Sequence, residues 1–192
     1  MAALEEKVSI LELRHHEADP STVGLASFGI GLFTLSFINA GMLGANAMSI
    51  MMPLALLVGL IHFFAALTGF RKNELFTALV FGIYGMFWVT FSLINLVVAL
   101  KWWVMDPNAL LVFLVAYTIF TGYILIASFV TNVAVIITVA GLFLVFLLLD
   151  FGQAVWAGYV GIFDSLMALY ISAAGIINTL YGRTVLPVGP VS

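Results

Sequence analysis

The chain has 192 residues, 64% of them hydrophobic and only 8% charged, with a formal net charge of −3. A soluble domain carries roughly 45–50% apolar and 25% charged residues, so no water-soluble fold of this size could hide so much apolar surface, whereas a bilayer can. The weak acidic balance, with no basic run, argues against nucleic acid as a partner, and the absence of cysteine excludes disulfides and thiolate metal sites.

Residues 1–20 read as a cytoplasmic N-terminal tail. The tail mixes Glu5, Glu6, Lys7, Arg14, His15, His16 and Asp19, with no apolar core and cleavage site of the secretory kind. Leu4, Val8 and Leu11 recur at helical spacing, which suits either a short amphipathic helix on the membrane surface or a solvated tail. Residues 21–186 read as an all-α domain of six transmembrane helices, and 187–192 as a C-terminal tail.

Six apolar stretches each reach the roughly 20 residues that span the hydrocarbon core. They run over 22–43, 47–69, 75–100, 109–129, 133–151 and 158–181, separated by polar or helix-stopping residues. Among these breaks are Arg71-Lys72-Asn73-Glu74, Asp106-Pro107-Asn108 and the faint Thr131-Asn132. Lys7, Arg14, Arg71, Lys72 and Arg183 fall on the side of both termini and Lys101 alone on the other, which predicts cytoplasmic termini. Trp102, Trp103, Trp156 and Tyr159 then form an outer aromatic belt.

Polar residues at membrane depth are the candidates for function. In the sixth stretch Gly161, Ser165, Ala168, Ser172, Gly175 and Thr179 line one helical face, a pattern that packs helices closely or, in the minority reading, faces a pore. Asp164 sits beside that face, where a carboxylate costs about 2.5–3.5 kcal/mol unless it meets protein or water. It is either a proton-binding, solute-facing group or a structural carboxyl held between helices. Asp150 lies near the outer end of the fifth span, where solvation suffices. His62, in the inner third of the second span, suits a polar path or a proton shuttle; a satisfied buried histidine is the plainer reading. Asn39 and Asn95 are single amides that could also serve only to join helices. No nucleophile elbow, phosphate loop or metal-ligand spacing occurs, so neither an enzyme, a cofactor nor a metal site is expected.

Several ordered stretches resemble one family. Asp19-Pro20-Ser21-Thr22-Val23-Gly24-Leu25, followed by Phe28-Gly29, is similar to the signature that opens the acetate uptake transporter family, with Asp19, Pro20, Gly24 and Leu25 as its key positions. Tyr84-Gly85-Met86-Phe87-Trp88, Pro107-Asn108-Ala109, Gly158-Tyr159-Val160-Gly161 and Gly182-Arg183-Thr184-Val185-Leu186-Pro187 also resemble that family's helix and terminal patterns. The resemblance implies a homo-hexamer in the cytoplasmic membrane, each protomer enclosing its own pathway for acetate and other small carboxylates such as succinate. It also implies a hydrophobic constriction, which falls on Phe28, Tyr84 and Leu142. On the predicted topology these lie six to nine positions from the inner ends of their helices, in one layer within roughly 5 Å at 1.5 Å per residue. Asp19, Thr34, Asn39, His62, Asn95 and Asp164 are the expected pathway residues. The sequence departs from the family pattern at Asp19 (Asn), Thr22 (Pro), His62 (Gln in bacterial relatives), Asp164 (Cys) and Gly175 (Glu). The expected function is acetate passage, by proton symport or channel-like conduction. A channel for small neutral solutes such as urea or short amides, and a non-transporting membrane scaffold, are the competing readings.

Overall fold

The computed structural model describes residues 18–191, so the predicted amphipathic tail lies outside the described residues. Six helices follow in order: α1 Pro20–Asn39, α2 Met48–Lys72, α3 Leu75–Ala99, α4 Pro107–Ser128, α5 Val133–Asp150 and α6 Ala154–Tyr181, with a 3-10 turn at Ala45–Ala47 before α2. All six are long and apolar enough to cross a membrane, as the sequence predicts. α6 starts four residues earlier than expected, because Trp156 and its neighbours extend the helix to the bundle's edge.

The helix starts are written in the breaks. Asp19 and Asp106 accept from the amides of Ser21 and Asn108 at 2.8 and 2.9 Å, each just ahead of a proline at the first helical position. That is where proline's missing N–H costs nothing. Asn132 caps α5 by accepting from the Val135 amide at 2.9 Å, and each such cap contributes about 1 kcal/mol. α2 and α6 end on the left-handed residues Asn73 (φ 60°) and Gly182 (φ 62°).

Five neighbouring pairs of helices pack closely, with α6 returning to α1, and the ring is completed where side chains of α3 and α4 meet. Two seams bring backbones close. In α2–α3, a Cβ at Gly59 would sit 2.8 Å from the Gly85 carbonyl, and Ser92 donates across the seam to the Met52 carbonyl at 2.7 Å. In α1–α6, the small-residue face of α6 is the contact: Gly158 and Gly161 lie on Ser36, Gly175 lies on Thr22, and Ser172 donates to the Thr22 carbonyl at 2.7 Å. The packing reading of that stripe is the one the fold uses for most of its length. The α3–α4 seam, by contrast, is closed by side chains: Phe87 stacks on Phe113 at 5.6 Å and Phe120 stands edge-on to Tyr84 at 5.3 Å.

The C-terminal segment is tied down rather than loose. The Asn178 carboxamide accepts from the amides of Val185 and Leu186, and Tyr170 donates to the Pro187 carbonyl at 2.7 Å. The carbonyls of Gly189 and Val188 then accept the first two amides of α5. The orphan donors at that helix start are thereby satisfied within the chain.

The α1–α6 seam yields a test. A methyl group at Gly158 meets backbone, with the Ser36 carbonyl oxygen 2.7 Å away, whereas one at Gly161 meets side chains alone, crowding Ser36 and touching Leu32. Gly158→Ala should therefore destabilise the bundle by about 2–3 kcal/mol and Gly161→Ala by about 1 kcal/mol. Adding Ser36→Gly should recover most of the second loss and little of the first, as read from denaturant unfolding in detergent.

Candidate functional site

Two cavities lie end to end along the ring's axis. The larger, about 420 Å³, opens toward the end that carries Asp19, Asn132, Asn178 and Val188, and it has room for several waters or a small organic acid. The smaller, about 30 Å³, reaches Asn39 and Leu149 on the other side. Three side chains line both: Phe28 from α1, Tyr84 from α3 and Leu142 from α5. All three are buried, at 6, 4 and 6% exposure, and so make up the wall between the two spaces.

Tyr84 is held firmly. Thr121 spends its single hydroxyl proton on its own helix, donating to the Tyr117 carbonyl at 2.6 Å. The 2.7 Å contact between the two hydroxyls is therefore donated by Tyr84. Removing Thr121 would orphan a buried phenol, at a cost of about 1–3 kcal/mol. Phe146 stacks parallel to the Tyr84 ring at 6.4 Å, so the aromatic packs on one face and bonds at its tip.

The predicted pathway residues divide. Asp19 and His62 line the larger cavity and Asn39 the smaller, and Leu25 of the signature also faces the larger one. Thr34 lines neither; its hydroxyl donates to Ile30 of its own helix at 3.0 Å. Asn95 likewise donates along its own helix, to the Phe91 carbonyl at 2.8 Å, and lines neither cavity. Asp164 is wholly buried and lines neither. Asp150 is not simply solvated, since it accepts from Thr118 at 2.6 Å.

Some cavity residues escaped the sequence reading. Thr138 lies one turn before Leu142 and Ile171 lies beside the small face of α6, so helical spacing from a known wall residue could have found both. Val188 reaches the cavity because the C-terminal segment folds back, and no periodic signal announces that. The lower end of the α6 stripe, Gly175 and Thr179, does face the cavity, so packing and lining share one helix face.

Comparison with known proteins gives a consistent result. Residues 4–192 match the GPR1/FUN34/yaaH family. An uncharacterized protein of Methanothermobacter thermautotrophicus is 31% identical over 185 residues, spanning 88% of this chain and 90% of that one. The succinate-acetate/proton symporter SatP of Escherichia coli K12 is 28% identical over 182 residues, spanning 90% and 95%. The solved structure of the bacterial acetate channel SatP superposes with a TM-score of 0.83 at 27% identity, covering 90% of this chain and 99% of that one.

Asp164 deserves a separate test, because it is the one buried carboxyl with neither oxygen hydrogen-bonded among the described residues. It fits a notch at Gly141 on α5, where an added Cβ would sit 2.8 Å from a carboxyl oxygen. Gly141→Ala should cost about 1–3 kcal/mol. In an Asp164→Ala background the same change should cost less than half as much. Equal costs in both backgrounds, measured by unfolding in detergent, would show that the notch is not shaped by the carboxyl.

Proposed function

We propose that this chain, which belongs to the GPR1/FUN34/yaaH family, passes acetate across the membrane its six helices span. The observation that carries the reading is the shared wall: Phe28, Tyr84 and Leu142 come from three separate helices and stand between two axial cavities. A carboxylate meeting such a collar must lose water, which is expensive in an apolar setting, so the collar selects small and weakly hydrated forms. In this reading Phe28, Tyr84 and Leu142 are the constriction, Asp19 and His62 belong to the vestibule, and Asn39 meets the solute beyond. Thr34, Asn95 and Asp164 have no place on the path. Succinate is the larger candidate solute, as the symporter's name suggests.

The names of the relatives above point to acetate rather than to urea or amides. The distribution of charge supports cytoplasmic termini in the cytoplasmic membrane: Arg71, Lys72 and Arg183 lie at the vestibule end and Lys101 at the other. Exposed Trp102, Trp103 and Trp156 at that other end suit an interfacial belt. Because both cavities lie within one chain, a homo-hexamer of the kind the resemblance implies would carry one pathway per protomer.

Widening the collar is the direct test. Phe28→Ala in proteoliposomes should raise protein-dependent acetate flux several-fold or admit larger monocarboxylates such as butyrate. If rate and size selectivity both match the unaltered protein, Phe28 does not limit passage and the proposed constriction is wrong.

A further inference from the structure

Polarity is unevenly distributed along the larger cavity. α1, α3 and α5 cross the bundle in the same direction, so a residue's count back from Phe28, Tyr84 or Leu142 gives its depth below the collar. Thr22 lies six residues before Phe28 and Thr77 seven before Tyr84, which puts both in one layer about 9–10 Å from the collar. Asp19 and Asn132 lie further out on α1 and α5. Asn178, one turn past the Gly175 that meets Thr22, joins them at the mouth.

These outer layers present donors. Asn132 Oδ1 accepts from the Val135 amide, and Asn178 Oδ1 from the amides of Val185 and Leu186. Both carboxamides are thereby oriented, with their NH2 groups left for other partners. Asn178 gives one of its two protons to the Leu186 carbonyl at 2.8 Å and keeps the second. The hydroxyls of Thr22 and Thr77 bond to nothing among the described residues. A Cβ at Gly175 would stand 2.5 Å from Thr22 Oγ1, so glycine there leaves that hydroxyl uncovered. Asp19 is exposed and holds Ser21 through both of its oxygens.

Between this layer and the collar the wall turns apolar, with Leu25, Val80, Val139 and Ile171 on four different helices or turns of the lining. The polar groups deeper in have turned to backbone: Thr138 donates to the Ala134 carbonyl at 3.0 Å, and His62 Nδ1 lies 2.8 Å from the Val58 carbonyl. Tyr84 donates to Thr121. The space is thus a donor-lined mouth leading into an apolar sleeve, and its volume of about 420 Å³ exceeds what acetate fills.

We propose that this cavity docks a linear alkyl monocarboxylate tail-first, with its carboxylate on the Thr22 and Thr77 hydroxyls and its chain along Leu25, Val80, Val139 and Ile171 toward the collar. A carboxylate presents only acceptors, which these hydroxyls and the rim NH2 groups can satisfy, whereas an ammonium head would face donors. The proposal rests on the acetate-passage reading for the route and adds the solute class, its orientation and the residues that hold each end. Acetate leaves the sleeve unfilled; chains of four to six carbons fill it and, stopped by the collar, obstruct the path.

The experiment titrates full-length protein in detergent, at about pH 8 where the acids are ionised, with protein-free micelles subtracted. Affinity should rise about fourfold per methylene from acetate to hexanoate, the value for moving one CH2 from water into an apolar site. Succinate, whose second carboxylate would stand in the sleeve, should bind more weakly than butyrate, and hexylammonium more weakly than hexanoate. Thr22→Val with Thr77→Val, which keeps the shape and removes both donors, should weaken every chain length about tenfold and leave the gain per methylene intact. Val139→Thr should weaken hexanoate more than acetate. Partition into the micelle responds to neither change. A flat chain-length series, hexylammonium binding more tightly than hexanoate, or a double Val variant within twofold of the unaltered protein would each overturn the assignment. In proteoliposomes hexanoate should block protein-dependent acetate flux. Acetate flux with no chain-length gain in binding would keep the passage reading and sink the docking site; the binding series without any flux would do the reverse.

Discussion

Dehydration governs this molecule more than any single contact. A carboxylate moved into an apolar setting loses hydrogen bonds worth many kcal/mol unless the protein replaces them or the charge is removed. The wall made by Phe28, Tyr84 and Leu142 offers no such replacement, since two of its members are hydrocarbon and the third has committed its hydroxyl to Thr121. On the vestibule side the hydroxyls of Thr131, Thr138 and Thr179 have already given their protons to backbone carbonyls.

The collar in turn depends on how its three helices are held. α1 carries Phe28 and is fixed from behind by α6, whose glycines let backbone meet backbone at Gly158. α3 carries Tyr84 and is locked to α2 through Gly59, Gly85 and the Ser92 bond to Met52. In hydrocarbon there is no hydrophobic force to drive helices together, so close van der Waals approach and interhelical hydrogen bonds must do it. Small residues behind the wall therefore set the positions of large residues in it. The α3–α4 seam works differently. Its aromatic side chains leave the backbones further apart and make α4 a sealing surface for the axial cavities, of which it lines neither.

The six spans were legible because length, apolar composition and capping residues all point the same way at each break, as at Asp106-Pro107 and Asn132. The collar was legible only through resemblance: nothing in the spacing of Phe28, Tyr84 and Leu142 separates them from the many aromatics and leucines that pack elsewhere. In-span polarity proved an ambiguous signal. His62 and Asn39 face cavities, while Thr34 and Asn95 bond back to their own helices and Asp164 turns into a notch at Gly141. A single polar residue in an apolar helix states that some partner exists, and only the rotation of the helix decides whether that partner is solute or backbone. The folding back of residues 182–190 was invisible for a related reason, because it depends on Asn178, Tyr170 and the start of α5 bonding to backbone groups that no sequence pattern links to them.

The asymmetry of the two cavities bears on how passage can proceed. About 420 Å³ on the side of the termini faces about 30 Å³ beyond the collar, so the described arrangement receives solute from one side and offers scarcely more than a water's space on the other. Opening the far side requires movement of residues that line the small cavity. Tyr84 is tied by its hydroxyl to α4, and Trp88 is wedged against Phe87 and Phe91. Phe28 has no polar tether, and its nearest ring partner is His62 at 6.4 Å. Phe28 and Leu142 are thus the two wall residues whose side chains carry no hydrogen bond.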